Sequence, residues 1–203
     1  MTDSVAGRRP VLMIGLDAAE ITLIQPWMTD GLLPNLAALH RRGVLMELQS
    51  TAHWLVGAPW PAFYASSTPE RFGMYHYLVW RPEKMAGERP SPTWMPLEPF
   101  WRQLPGNDRR VIAVDVPLCY APDAYDGIEL SGWATHELLQ KPGSSPPDLL
   151  DEIRREFGAA PFDEESAHEL SAAECIAVRD QCVETARRVG ELGCSLIRKH
   201  PWD

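Results

Sequence analysis

Apolar and polar positions alternate along this chain with periods that change several times, and the changes mark out a series of elements. Val11 to Leu16 is a continuous apolar run between Arg8-Arg9-Pro10 and Asp17, the pattern of a strand buried on both faces of a parallel sheet. Residues 20 to 30 place Ile21, Ile24, Trp27 and Met28 at helical spacing, with Pro26 as a first-turn position or kink and Asp30-Gly31 as the stop. Pro34 opens a second helix through Leu36 and Leu39, closed by Gly43 after Arg41-Arg42. The alternation of residues 44 to 49 predicts a further strand.

Beyond residue 50 the pattern is more broken. A short helix is expected near Pro59 to Ala65, and an aromatic strand or structured loop over Met74 to Trp80. Prolines recur too often between Arg81 and Pro99 for a helix or a central strand, so 81–99 reads as an excursion or lid. Arg109 to Val114 and Ile128 to Leu130 predict two buried strands, ending at Asp115 and at Gly132-Trp133. Pro147 and Asp148 begin a helix whose apolar face is Leu149, Leu150, Ile153 and Phe157, with Gly158 beyond its end. Cys175, Val178, Cys182, Ala186, Val189, Leu192 and Leu196 make residues 170 to 199 a long amphipathic helix. Strands alternating with helices predict an α/β, doubly wound, mostly parallel sheet within one domain, 1–203. Pro201 after the last helix is the usual turn into a next strand, so the sheet is expected to be incomplete in this chain.

Composition narrows the partners. With 203 residues the chain can bury one sizeable core, and 45% hydrophobic against 23% charged residues excludes wholesale disorder. The formal charge of −9 argues against nucleic acid or an anionic membrane as the main partner, because both reward clustered Lys and Arg. The apolar run after Arg8-Arg9 is too short for a signal core, and no stretch approaches a membrane span, so a cytoplasmic location is expected. The four cysteines form no CxxC pair and read as small buried apolar residues. The 19 prolines and 8 tryptophans concentrate around a prospective cleft, where Trp54, Trp60, Phe63, Tyr64, Tyr75, Tyr77 and Trp80 offer either a stacking surface or a packed wall.

Asp17 is the strongest chemical candidate. A carboxylate directly after a buried strand sits at the sheet's carboxyl edge, where it can hold a divalent metal or cap the following helix. The six histidines show no HxH, HxxxH or HExxH spacing, and phosphate loops of the GxGxxG or GxxxxGK[ST] type are missing. His136, after a predicted strand end, is the histidine best placed to line a site.

The ordered segments VLMIGLDAAE, WMTDGLLPNLAALHRRGV and STAHWLVGAPWPAFYASSTPERFGMYHY, followed by Gly132-Trp133 with Thr135-His136 and by SSPPDLLDEI, resemble the amino-terminal part of the type I phosphodiesterase and nucleotide pyrophosphatase family of the alkaline phosphatase superfamily. The resemblance implies an alkaline phosphatase-like sheet, a divalent metal centre of the zinc type, and hydrolysis of small phosphate esters. It implies Asp17 as a metal ligand; Trp60, from the aromatic cluster, and His136 are the candidates for substrate contact. The family's nucleophilic Ser or Thr falls near Val56, and neither it nor Gly57, Ala58 or Pro59 has a hydroxyl. Phe72 stands where the family commonly has His before the glycine matched by Gly73. The remaining metal ligands of the family come from segments beyond the long helix. The expectation is therefore a hydrolase weak or inactive alone, against the alternative of a non-catalytic binding module or one half of a split enzyme completed by a second polypeptide.

Overall fold

The computed structural model describes residues 9–50, 59–76, 78–89, 97–104, 109–122, 125–134, 142–159 and 170–203. The chain divides into two compact units, Leu12–Ser50 and the remainder.

In the smaller unit, α1 (Ile21–Thr29) starts at Glu20, whose carboxylate accepts the Thr22 backbone N–H at 3.0 Å and so takes the N-cap role. Pro26 lies inside this helix, and Gly31, at φ 77°, supplies the left-handed residue that lets the chain turn after it. Pro34 opens α2 (Pro34–Arg42), whose last turn carries His40, Arg41 and Arg42 against the helix's carbonyl end. Both helices match the periodicity. The two flanking strands do not form: residues 11–16 and 44–49 have no ladder partner among the described residues. Val11, Leu12, Met13, Ile14 and Leu16 are 54–72% exposed. An apolar run states a need for cover; a strand also needs a neighbour whose backbone groups complete the ladder.

The larger unit begins with α3 (Pro59–Tyr64) and α4 (Pro69–Phe72), the latter ended by Gly73 at φ 73°. Of the expected strand at 74–80 only the end is realised, as β1 (Val79–Arg81), which pairs antiparallel with β2 (Ala86–Glu88) across a 3-10 turn at Pro82–Lys84. The 3-10 turn and β2 of this hairpin lie within the 81–99 excursion.

The principal sheet contains β3 (Ile112–Val114), β4 (Ile128–Ser131) and β5 (Gly143–Ser145) in the order β3-β4-β5. β3 and β4 run parallel, with Ala113 opposite Glu129, while β5 runs antiparallel to β4. Among the described residues the architecture is thus mixed α/β, with one sheet of two strands and one of three. Gly143, Ser144 and Ser145 carry no apolar signal, so only their pairing makes them a strand.

The two faces of β4 hold different chemistry, as period 2 requires. Leu130 points into a core with Leu149, Leu150 and Ile153 of α5 (Leu149–Phe157) and Leu192 and Leu196 of α6 (Ala172–Lys199), joined by Trp133. Glu129, on the opposite face, lies under an aromatic layer described below. α6 opens with a capping box in which Ser171 and Glu174 satisfy each other's backbone amides. Its carboxyl half packs on the sheet, where Arg188 donates to the Phe157 and Ala159 carbonyls and Lys199 pairs with Glu156 at 2.5 Å. Past its end the Asp203 N–H donates to the Arg110 carbonyl at 3.0 Å, and the Arg110 guanidinium returns to the Asp203 carboxylate, tying the helix exit to the entry of β3.

The cysteine expectation holds only for Cys119. Cys175, Cys182 and Cys194 are exposed, because the amino-terminal half of α6 and the outer side of its carboxyl half have no packing partner among the described residues. Burial, and after it the neighbouring Glu129 carboxylate, push the Cys119 thiol far above its ordinary range. Titration with an aromatic disulfide reagent should therefore label three thiols rapidly in the folded chain and the fourth only in denaturant. Four equally fast thiols would contradict this packing.

Candidate active site and its surroundings

Asp17 lies in an exposed turn between residues 11–16 and α1, followed by Ala18 at φ 50°. The capping alternative for it is overturned, since Glu20 caps α1. The strand meant to present Asp17 at a sheet edge is not formed, so the structure leaves it in a turn. Val56 and His136 lie outside the described residues, as do His53, Trp54 and Tyr77.

Trp60 is described, half-buried on α3, and it belongs to a ladder of edge-to-face rings. Trp60 meets Phe63 at 6.4 Å, Phe63 meets Phe100 at 5.9 Å, Phe100 meets Trp101 at 5.3 Å, and Trp101 meets Tyr64 at 5.8 Å. These separations suit the quadrupolar preference for perpendicular rings. Tyr64 is 2% exposed and its hydroxyl donates to the Leu118 carbonyl at 2.9 Å, so this hydroxyl is committed to structure. Tyr75 and Trp80, grouped with these rings on sequence, remain 45% and 57% exposed. Phe100 and Trp101 come from a 3-10 turn (Phe100–Gln103) just past the Pro-rich stretch and complete the ladder; nothing in their local spacing marks them.

Beneath the rings lies a charged cluster that sequence reasoning missed. The Arg102 Nε and Nη2 atoms donate to the two Glu129 carboxylate oxygens at 3.0 and 2.6 Å, a planar fork on a carboxylate that is 2% exposed. The Trp101 indole N–H and the Cys119 thiol donate to the same carboxylate at 3.4 Å, and Arg102 also donates to the Tyr120 carbonyl. The Tyr125 hydroxyl donates to the Trp101 carbonyl at 3.0 Å; burial and then Glu129 push it up to about 12. A Glu two residues before a predicted sheet edge was the available signal, but Arg102 is 27 residues away and unpredictable as its partner.

The second missed group is Asp115, at the carboxyl end of β3 with φ 47°. Its two oxygens accept the backbone N–H groups of Trp133 at 2.9 Å and Ala134 at 3.0 Å, just past the end of β4. Because β3 and β4 are parallel, both ends fall on one edge, the edge on which α/β proteins place ligand crevices. Burial pushes the Asp115 carboxyl up to about 6, against the opposing pull of the Trp133, Ala134 and Gly132 amides.

Among the described residues no group of three His, Cys, Asp or Glu side chains is gathered as a metal ion requires. The described donors by themselves therefore do not make up a metal centre, and no chemical step is derived through one. No described helix is long and apolar enough to cross a membrane.

No curated protein and no solved structure matches this chain. The family model for type I phosphodiesterase / nucleotide pyrophosphatase matches residues 11–181, most of the chain and both of its units, and the chain therefore belongs to that family.

Proposed function

We propose that this chain derives from hydrolases that cleave small phosphate diesters or pyrophosphates with a divalent metal of the zinc type, and that it builds the first part of their doubly wound, alkaline phosphatase-like sheet. The observation that carries the reading is the family match over residues 11–181. It is supported by two parallel strands whose carboxyl ends share one edge. Asp17 is the assigned metal-binding carboxylate, Trp60 and His136 are assigned to substrate, and 81–99 is the assigned lid. Val56 stands where a nucleophilic hydroxyl would be needed, so the expected activity is weak.

Hydrolysis of bis(4-nitrophenyl) phosphate with and without added zinc tests this. Zinc-dependent turnover should fall at least about tenfold in Asp17→Ala, the scale on which metal sites respond to lost ligation. Turnover indifferent to both zinc and Asp17 would sink the assignment.

One observation favours a second reading, a binding module completed by another polypeptide. Val11, Leu12, Met13, Ile14, Leu16, Val44, Met46 and Leu48 are each more than half exposed, a large apolar display for a folded chain. On that reading the isolated chain binds the diester without hydrolysing it, which calorimetry with the same compound separates from catalysis.

A further inference from the structure

Hydrogen bonding sorts the backbone groups of β3 between its two edges. The Ile128 N–H donates to the Val111 carbonyl at 2.9 Å and the Asp115 N–H to the Leu130 carbonyl at 2.8 Å, with Ile112 opposite Ile128 and Val114 opposite Leu130. In a parallel ladder that parity turns the backbone groups of residues 111, 113 and 115 towards β4 and those of residues 110, 112 and 114 towards the other edge. The first rung of that edge is taken. The Asp203 N–H donates to the Arg110 carbonyl and the Arg110 N–H to the Asp203 carboxylate, both at 3.0 Å. Beyond it, the N–H and C=O groups of Ile112 and Val114 have no backbone partner among the described residues. The lane beside them is apolar on both faces. Ile112 and Val114 pack against the core of Leu130, Ile153, Leu192 and Leu196, while Val111 and Ala113 belong with Tyr64, Trp101 and Cys119.

Soluble proteins blunt exposed strand edges with charges, prolines or very short polar strands. β2 carries Glu88, paired with Lys84 at 2.7 Å, and β5 is Gly-Ser-Ser running into Pro146-Pro147. From Val111 to Val114 the β3 sequence has no such device. We propose that the outer edge of β3 is a strand-accepting site, and that its occupant is an extended, continuously apolar segment of a second polypeptide. This rests on the reading of the chain as a module completed by another polypeptide, and it gives that completion a place, a register and a chemistry. Main-chain bonds to Ile112 and Val114 fix the register next to the Asp203 rung, and the two apolar layers select Val, Ile and Leu on both sides of the incoming strand. The chain's own apolar run at residues 11–16 has the same chemistry, yet Val11, Leu12, Met13, Ile14 and Leu16 all stay more than half exposed.

Amide hydrogen exchange of the 203-residue chain, read residue by residue by NMR, tests the edge in two stages and alters no residue of the chain. In the chain alone, the Ile112 and Val114 amides should exchange at least about tenfold faster than those of Ala113 and Asp115, which face β4. A synthetic peptide, acetyl-Lys-Val-Ile-Leu-Val-Ile-Lys-amide, should then slow Ile112 and Val114 by at least about tenfold at saturation and leave β2 and β5 unchanged. The same peptide N-methylated at each apolar residue keeps the charge and the apolar side chains but loses the main-chain donors, and it should protect neither amide. Slow exchange of Ile112 and Val114 in the chain alone would mean that the edge is already filled, by residues 11–16 or by a second copy, and overturns the proposal. Equal protection by the N-methylated peptide, protection confined to β2, β5 or residues 11–16, or no protection at all also overturns it. Turnover of the phosphate diester by the isolated chain sinks the underlying reading separately, whatever the exchange of these two amides.

Discussion

Glu129→Ala should destabilise the chain by about 3–5 kcal/mol, the usual cost of removing one partner of a buried ion pair. The substitution leaves the Arg102 guanidinium, which is mostly shielded from water, without its carboxylate, and it also strands the Trp101 indole N–H and the Cys119 thiol. The loss falls on the face of β4 that carries the aromatic ladder, so those rings should loosen first. Urea unfolding followed by tryptophan fluorescence measures it; a loss under about 1 kcal/mol would mean that the pair is solvated and the cluster misplaced. Replacing both partners, as Arg102→Met with Glu129→Met, should recover most of the stability, because an apolar pair of similar volume avoids the desolvation of two charges. That recovery separates the cost of an orphaned charge from any net worth of the pair.

Trp133→Ala should cost a similar amount, about 3–5 kcal/mol, by a different mechanism. Trp133 is 1% exposed and fills the space between β4 and α5, with its ring edge-on to Phe157. Truncation opens a cavity that β3, β4 and α5, held by their own ladders and by the Arg188 bonds to the Phe157 and Ala159 carbonyls, cannot close. The informative control is Val183→Ala on α6, where the side chain is 66% exposed; it should change stability by less than about 0.5 kcal/mol. Comparable losses at both positions would show that the amino-terminal half of α6 is covered in solution.

The helices were legible in the chain for local reasons. Gly31, Gly43 and Gly158 stop α1, α2 and α5 where the periodicity ends, and Ser171 with Glu174 announces α6 through a pairing only three residues apart. The strands were legible only in part. Ile112–Val114 and Ile128–Ser131 formed close to where their apolar runs lie, whereas residues 11–16, with an equally apolar run, did not. The difference is a partner, which a run cannot specify. β5 shows the converse, since Gly143 to Ser145 gained a strand from β4 with no strand-forming residues of its own. Of the residues considered for a site, Asp17 and Trp60 were singled out by position and type. Glu129, Arg102 and Asp115 were not, because each matters through a partner at least 18 residues away.

What the amino-acid order determined by itself is the family, the helices and their caps, and the absence of a hydroxyl at residues 56–59, all of which depend on residue identity and short spacing. Tertiary structure alone decided which apolar runs are strands, which cysteine is buried, and where the charged groups go. Glu129 is paired under an aromatic layer because Arg102 arrives with matching geometry, and Asp115 sits among amides because two parallel strands end side by side. Burial and partnership are properties of a neighbourhood assembled from distant segments, and the free energy of an ionisable or apolar group is set by that neighbourhood far more than by its own place in the chain.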